Sequence, residues 1–550
     1  MGGHSRGAVQ VASGILASRL VGFLRDRAIA HYFGVGPHAD VFRTALRGPN
    51  ILQNLLGEGT VSASFIPIYS RLLEEGREEE AGRFAGAILG LLLAVAGALA
   101  LLGVLLAGPI VTVLAAGFVG DAARVAAGAA TIDRFPLTVT AVRIIFPMTG
   151  VLVLAAWALG VLNSHRRFFV PYVAPVLWNV AIIAAVLWAG WGLVVPTTGA
   201  LDRLLVAACL GALAGGVLQL GVQLPFVARV LKGFRLSFST RVGGVREALA
   251  AFGPVVAGRG VVQLSAYLDI FLASLIAPGA VAALGWAQTL YMLPVSLFGM
   301  SVAAAELPEL SRASARPGAG DLAPRISSSL RQMGFVTMPS AVGYLALGYL
   351  LVGGIYRTGS FGASDTWLVY LVLAGYSLGL VAATSSRLLQ SAFFALGDTA
   401  TPSKIAVQRV LVATVIGVPL MLALDRWRMG QLLPSLAGDD TLRLGAVGLA
   451  AAAAVAAWFE LARLWSALRP RVAGIASPLG PLARMLALAA AAALLGAGLW
   501  WLLPPLPVAL TALAVLTCYA CLYLGGAHLA GVPEAEAWVG RVLRRLRRRA

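Results

Sequence analysis

The chain has 550 residues, 59% of them hydrophobic and 12% charged, with a mean hydropathy of +0.86, whereas soluble domains carry about 25% charged residues. Apolar runs of roughly 20 residues, the length of a bilayer-crossing helix, recur from end to end. These features exclude a set of soluble domains and leave one polytopic all-α membrane unit. The 42 Lys and Arg against 24 Asp and Glu give a net charge of +18, which here points to cytoplasmic loops and anionic headgroups, with no nucleic-acid partner required.

Apolar runs bounded by Gly, Pro or charge predict about fourteen transmembrane helices. In chain order they cover 8–33, 40–70, 84–116, 134–162, 171–195, 203–229, 246–277, 280–310, 326–355, 365–396, 401–424, 443–468, 482–503 and 506–530. The first run contains Arg19 and no small-residue cleavage site, so no cleaved signal peptide is expected. Met1-Gly2 lacks the downstream Ser or Thr of an N-myristoylation motif. The mixed-charge segment RLLEEGREEEAGR reads as an exposed cytoplasmic helix or loop.

Alternate loops differ in charge. One set holds Arg6, Arg71, Arg77, Arg83, Arg166, Arg167, Lys232, Arg235, Arg241, Arg312, Arg316, Arg325, Lys404, Arg469, Arg471 and the tail from Arg541 to Arg549. The other holds only Arg124, Arg134, Arg203, Arg357, Arg426, Arg428 and Arg443. The positive-inside rule then predicts both termini in the cytoplasm. The tail VGRVLRRLRRRA is either a basic amphipathic end lying on anionic lipid or a solvated topology signal.

TVSASFIPIYSR at 60–71 aligns without gaps to SVAAAELPELSR at 301–312, sharing Val61/Val302, Ala63/Ala304, Pro67/Pro308, Ser70/Ser311 and Arg71/Arg312. Upstream, the segment from Asp26 matches that from Asp269 with a two-residue shift. Helices one and two therefore correspond to seven and eight. This gives two six-helix parallel repeats plus two C-terminal helices, with a substrate site expected between the repeats near midplane. The predicted division is 1–230 for the N-lobe, 231–470 for the C-lobe, and 471–550 for helices thirteen and fourteen with the tail.

A charge at the bilayer centre costs at least about 2.5 kcal/mol, so intramembrane charges must face water, protein or ligand. The first two helices concentrate Arg19, Arg25, Asp26, Arg27, Asp40, Arg43 and Arg47. Asp26 and Asp40 are expected to pair with arginines of this group, leaving guanidinium forks in excess. Such an excess suits a phosphate or diphosphate. For Arg25, Arg27 and Arg47, snorkelling or an inter-lobe salt bridge is the competing expectation. In the second repeat Arg259 and Asp269 share helix seven, Glu306 ends helix eight and Arg387 lies in helix ten; Arg259 and Asp269 equally fit an interhelical ion pair. His31 reads as interfacial. Cys209, Cys518 and Cys521 lie in apolar stretches with no metal-ligand partners, and no metal or cofactor is expected. No catalytic motif or P-loop is present, so an enzyme is not expected.

The stretch SRLVGFLRDRAIAHYFGVGPHADVFRTALRGPNILQNLLGEGTVSASFIPIYSR resembles the opening of the MurJ (MviN) lipid II flippases of the multidrug/oligosaccharidyl-lipid/polysaccharide exporter superfamily. Further similarity runs through VLNSHRRFFVPYVAPVLWNV, GYSLGL and FFALGDTATPSKIA, covering about the first 420 residues. The resemblance implies two lobes around a cationic cavity, a groove for a lipid tail at helices thirteen and fourteen, and alternating access. It implies export of undecaprenyl-diphosphate-linked peptidoglycan precursor across the bacterial inner membrane, with membrane lipids and other cell-wall synthesis proteins as further partners.

Carried over by position, Arg19, Arg25, Asp26, Asp40, Pro49, Asn50, Glu58 and Gly59 match the family's first-lobe pattern, with Arg47 and Arg259 as added substrate contacts. The chain departs from it at Gln53 or Asn54 and at Gln288 and Thr289, where many members have Arg. Arg259 is the expected substitute. Asp269 matches the acidic part of a sodium site found in some relatives, but VLVATVIGVP lacks the rest, so it stands only as an ion-coupling candidate. A drug/cation antiporter, another polysaccharide-lipid flippase and a non-transporting scaffold are the competing readings. An arginine excess over carboxylates favours an anionic headgroup over a cationic drug.

Overall fold

The computed structural model describes residues 3–536 except 129, 194–196, 315–321, 433–441, 473 and 477–478. At 3–9, 12, 58, 257–266, 298, 301, 304–305, 308, 313–314 and 432 only the backbone is described. The described residues are helical, with no strand beyond one isolated bridge between Arg428 and Arg443. Hydrocarbon offers the backbone no water, so each crossing segment must satisfy its own amides and carbonyls, as a helix does. Among the described residues ten helices are long and apolar enough to cross a membrane, or up to twelve if two bent pairs count as one span each. Each of the fourteen expected spans falls on a helix or a run of consecutive helices.

The breaks in these runs have sequence causes. The second span is three pieces, Pro37–Leu56, Glu58–Ser64 and Ile66–Glu74, separated at Gly57 and Phe65. The eighth passes from Ala280–Pro294 through a π-helical turn at Val295–Met300 into Ser301–Ser314. Of the two segments aligned as a repeat, 60–71 follows Gly57 and contains the break at Phe65, and 301–312 begins directly after the π-helical turn. The tenth span bends by 42° between Ala363–Ser377 and Leu380–Ala395, and the segment after the third turns by 103° between Ala107–Leu114 and Ala116–Ala126.

Two units pack separately: residues 1–282 with 358–360, and 283–357 with 361–550. The first has a core around Phe65, Tyr69, Phe84, Val153 and Trp157, where Phe65 and Phe84 stack at 5.4 Å and the Trp157 indole donates to the Ala85 carbonyl at 3.1 Å. Helix Glu78–Leu105 presents Gly82, Gly86 and Gly90 to the extended segment after Lys232. A Cβ on Gly86 would lie 2.1 Å from the Arg235 carbonyl oxygen, so this close approach requires glycine.

In the second unit, Leu388, Leu389 and Phe393 pack with Ile326, Leu330 and Leu464. The last two helices, Leu479–Leu502 and Val508–Leu529, pack on Leu322–Tyr356 through Met485, Ala489, Val515, Tyr519 and Tyr523. Pro339 lies inside that long helix and lacks the amide that would reach the Phe335 carbonyl. The Tyr523 hydroxyl donates to that carbonyl at 2.7 Å, and the Tyr519 hydroxyl donates to the Pro339 carbonyl at 2.6 Å.

Candidate functional site

The first helix, Gly3–Phe33, lies against Phe169–Ala189 because Gly14 admits Tyr172, and because the Asn179 amide donates to the Ser18 carbonyl at 3.4 Å. This packing fixes Arg25. Its Nε and Nη2 donate to Asp26 Oδ1 at 3.0 and 2.6 Å, and its guanidinium lies 5.1 Å from the Trp178 ring centre. An arginine held by a carboxylate and an aromatic face has a defined orientation. Arg19 is exposed. Six residues put it about 9 Å along the axis from Arg25 and roughly 120° around it. The two therefore occupy different faces of one helix.

On helix Pro37–Leu56, Asp40, Arg43, Arg47 and Asn50 recur at helical spacing along one polar stripe. Arg43, Arg47 and Asn50 are partly buried. Asp40 at the head of the stripe is fully buried, and the sequence expectation that it pairs with an arginine of the first two helices is corrected here. Its partner is Arg134, the first residue of helix Arg134–Ser164, whose Nη1 donates to Asp40 Oδ2 at 3.0 Å. The Gly279 and Ala282 amides donate to Asp40 Oδ2 and Oδ1 at 2.7 and 2.8 Å. Arg134, 1% exposed, also donates through Nε and Nη2 to Asp121 at 2.5 and 3.1 Å and covers the Phe118 ring at 4.1 Å. Arg124 adds a 3.2 Å bond to Asp121. Two buried carboxylates thus share one buried guanidinium, and all the donors of Asp40 are supplied by the protein.

Sequence reasoning counted Arg134 among loop cations and missed Trp178, Asn179 and Asp121. Trp178 and Asn179 lay in the quoted stretch PYVAPVLWNV, where an indole and an amide inside an apolar span were the available signal. The site residues Glu58 and Arg259 have side chains outside the described residues. Asp269 is partly buried in helix Val245–Ser274. At the positions where arginine was expected and is absent, the Thr289 hydroxyl donates to the Gly285 carbonyl of its own helix at 2.9 Å. His31 Nδ1 lies 2.9 Å from the Thr358 hydroxyl, and buried His38 pairs with Asp202 at 2.9 Å. Among the described residues no group of three or more His, Cys, Asp or Glu is arranged to hold a metal.

A polytopic helical bundle with arginine-rich first helices defines the class as multi-pass membrane proteins that keep charge within their apolar helices. Residues 29–506 match the family model described as Lipid II flippase MurJ. A probable lipid II flippase MurJ of Rhizobium tropici is 31% identical over 467 residues, 84% of this chain and 80% of that protein. The lipid II flippase MurJ of Burkholderia cenocepacia is 31% identical over 423 residues, 76% of this chain and 78% of that one. Among solved structures, a lipid II flippase MurJ in an inward closed conformation is 20% identical with a TM-score of 0.70, covering 97% of this chain and 100% of the other. An inward-facing multidrug resistance MATE transporter of the MOP superfamily gives 18% identity and a TM-score of 0.56, over 85% of this chain and all of the other. The chain belongs to the lipid II flippase MurJ family, a family of multi-pass transporters and not of enzymes.

Proposed function

We propose that this chain moves lipid II, the polyprenyl-diphosphate-linked peptidoglycan precursor, from the cytoplasmic to the outer leaflet of the bacterial inner membrane by alternating access. Family membership across residues 29–506 carries the reading. The arginine excess on the first two helices supports it chemically, because guanidinium forks match phosphate oxygens. In this reading Arg19, Arg25, Arg47 and Asn50 contact the headgroup, with Glu58 and Arg259 as further contacts. Asp26 orients Arg25, and Asp40, already saturated, holds the end of its helix rather than the ligand. Asp269 is retained as an ion-coupling candidate. The lobes are taken as 1–230 and 231–470, with 471–550 as the added pair of helices and a tail in the cytoplasm beside the N-terminus.

A cationic drug would need free carboxylates on the first two helices, but Asp26 and Asp40 are each engaged by an arginine. The test is complementation of a flippase-depleted bacterium combined with labelled lipid II tracked across the membrane. Growth rescue with translocation is expected; expression at normal levels with neither would refute the assignment.

A further inference from the structure

A second basic cluster lies wholly within the unit that begins at residue 283. Glu460 of helix Gly445–Leu468, only 2% exposed, accepts from Arg409 Nη1 of helix Ala400–Leu424 at 3.1 Å and from Gln390 Nε2 of helix Leu380–Ala395 at 2.9 Å. Arg387 precedes Gln390 by three residues, so the two share a face of their helix. The groups acting on the Arg387 guanidinium are Arg409, Glu460 and the hydroxyl of Tyr291 from helix Ala280–Pro294. Among the described residues this guanidinium makes no hydrogen bond or ion pair. Tyr291 is held in turn by a ring contact with Tyr376 at 5.2 Å.

Two observations about this cluster point to a ligand. The first is charge: two guanidiniums share one carboxylate, and the hydrogen bonds of Glu460 go to Arg409 and Gln390, so the cluster carries a net positive charge with Arg387 not bonded to Glu460. A charge inside a membrane span persists only where water, protein or ligand meets it. The second is depth. At 1.5 Å per residue, Arg387 lies about 12 Å from the helix end at Ala395, Arg409 about 13 Å from the helix start at Ala400, and Glu460 about 12 Å from the end at Leu468. All three ends belong to the same side of the membrane by the loop-charge pattern, so the three groups lie at one level. That level is well inside the headgroups of the surrounding leaflet, beyond the position of an ordinary phospholipid phosphate.

We propose that Arg387, with Arg409 and Tyr291, forms a phosphate subsite within the C-lobe, its charge set by Glu460, that receives a phosphate of the transported lipid's diphosphate headgroup. Two guanidinium forks in one cluster match a tetrahedral anion with several free oxygens, and a tyrosine hydroxyl supplies a further donor. The proposal rests on the flippase reading for the carrier of the phosphate. The subsite itself rests on the four-helix cluster, and it supplies C-lobe arginines in a chain that lacks them at Gln288 and Thr289.

The test is calorimetric titration of the full chain in detergent with inorganic diphosphate, in an Arg19→Gln/Arg25→Gln/Arg47→Gln background that removes the N-lobe arginines assigned to the headgroup, alongside melting temperature. Binding should persist in that background. Adding Arg387→Gln should weaken it about tenfold or more with an unchanged melting temperature, the loss expected for a charge-assisted bond. Adding Glu460→Gln instead should tighten it, because Arg409 is released toward the ligand. Affinity that Arg387→Gln leaves unchanged, with or without a lower melting temperature, makes Arg387 a brace and overturns the subsite. Complete loss of binding in the background itself also overturns it while leaving the N-lobe reading intact. The carrier is tested in nanodiscs of phosphatidylcholine with and without phosphatidylglycerol. Diphosphate affinity should be indifferent to phosphatidylglycerol, whereas competition by that lipid, abolished by Arg387→Gln, would reassign the site to bulk headgroups and refute the proposal.

Discussion

Arg25 shows how a single position acquires a role through its neighbours. Asp26 and Trp178 hold its fork from two sides, so a lysine there keeps the charge but loses the planar geometry. Arg25→Lys should therefore fail like Arg25→Ala, each lowering rescue of a flippase-depleted strain about tenfold or more at matched protein levels; near-normal rescue by the lysine variant would mean that charge alone suffices. Arg134 is the opposite case, a residue whose task is stability. Arg134→Met leaves Asp40 and Asp121 buried without their shared cation, and removing one partner of a buried pair costs about 3–5 kcal/mol. A large fall in melting temperature should follow, partly recovered when Asp40→Asn and Asp121→Asn are added. A melting temperature unchanged by Arg134→Met would show that the shared cation contributes nothing to stability. Arg25 and Asp26 were legible because adjacent charges inside an apolar run are conspicuous. The role of Arg134 was not, since its carboxylate partners lie 13 and 94 residues away in the chain.

Among elements, the long helix Leu322–Tyr356 depends on the last two helices for its hydrogen bonding. Tyr523→Phe removes only the hydroxyl that serves the Phe335 carbonyl, and an orphaned carbonyl in a water-free environment costs about 1–3 kcal/mol. The variant should melt lower than the parent in nanodiscs, and an equal melting temperature would mean that another donor takes over. Helix Glu78–Leu105 makes a similar demand through Gly86, whose added methyl would meet the Arg235 carbonyl. Gly86→Ala should destabilise by about 1–3 kcal/mol, the range for overpacking, and should speed proteolysis of the segment after Lys232.

The turn before helix Ala400–Leu424 is set by charge. Asp398 accepts from the Thr401 hydroxyl at 2.6 Å, from the Thr401 amide at 2.9 Å, and from Arg471 at 2.5 Å. The Thr401 hydroxyl bond, then the amide bond, then Arg471 hold its carboxyl well below the usual carboxylate range. A depressed folded-state value means that the stabilisation is fully present above the ordinary aspartate value of about 3.9 and is lost as pH falls toward and through the folded value. The melting-temperature gap between the parent and Asp398→Asn should accordingly be constant from neutral pH down to about pH 5 and shrink on stronger acidification. A gap independent of pH would dissociate the carboxylate from the stability of this turn.

For the whole molecule the proposed orientation has a direct readout. Single cysteines at Arg235 and Arg426, placed in a background without Cys209, Cys518 and Cys521, should label differently with an impermeant maleimide. The position at 426 should react in intact cells and the one at 235 only after the membrane is opened. The reverse pattern would invert the assigned topology and place the basic loops outside.

The sequence by itself determined the all-α membrane class and where the long apolar helices fall; against fourteen expected spans, ten helices among the described residues, or up to twelve with the two bent pairs, are long and apolar enough to cross a membrane. Hydropathy and loop charge are local quantities that the bilayer reads directly, and every crossing segment must be helical whatever it packs against. The concentration of arginines on the first two helices was visible for the same reason, because charge stands out against an apolar background. Only the tertiary structure decided which distant groups meet: Asp40 with Arg134, Glu460 with Arg409 and Gln390, and the carbonyls of Phe335 and Pro339 with the hydroxyls of Tyr523 and Tyr519. Each of these links joins helices distant in the chain, and its energy depends on contact distance and on exclusion of water, neither of which a one-dimensional pattern contains.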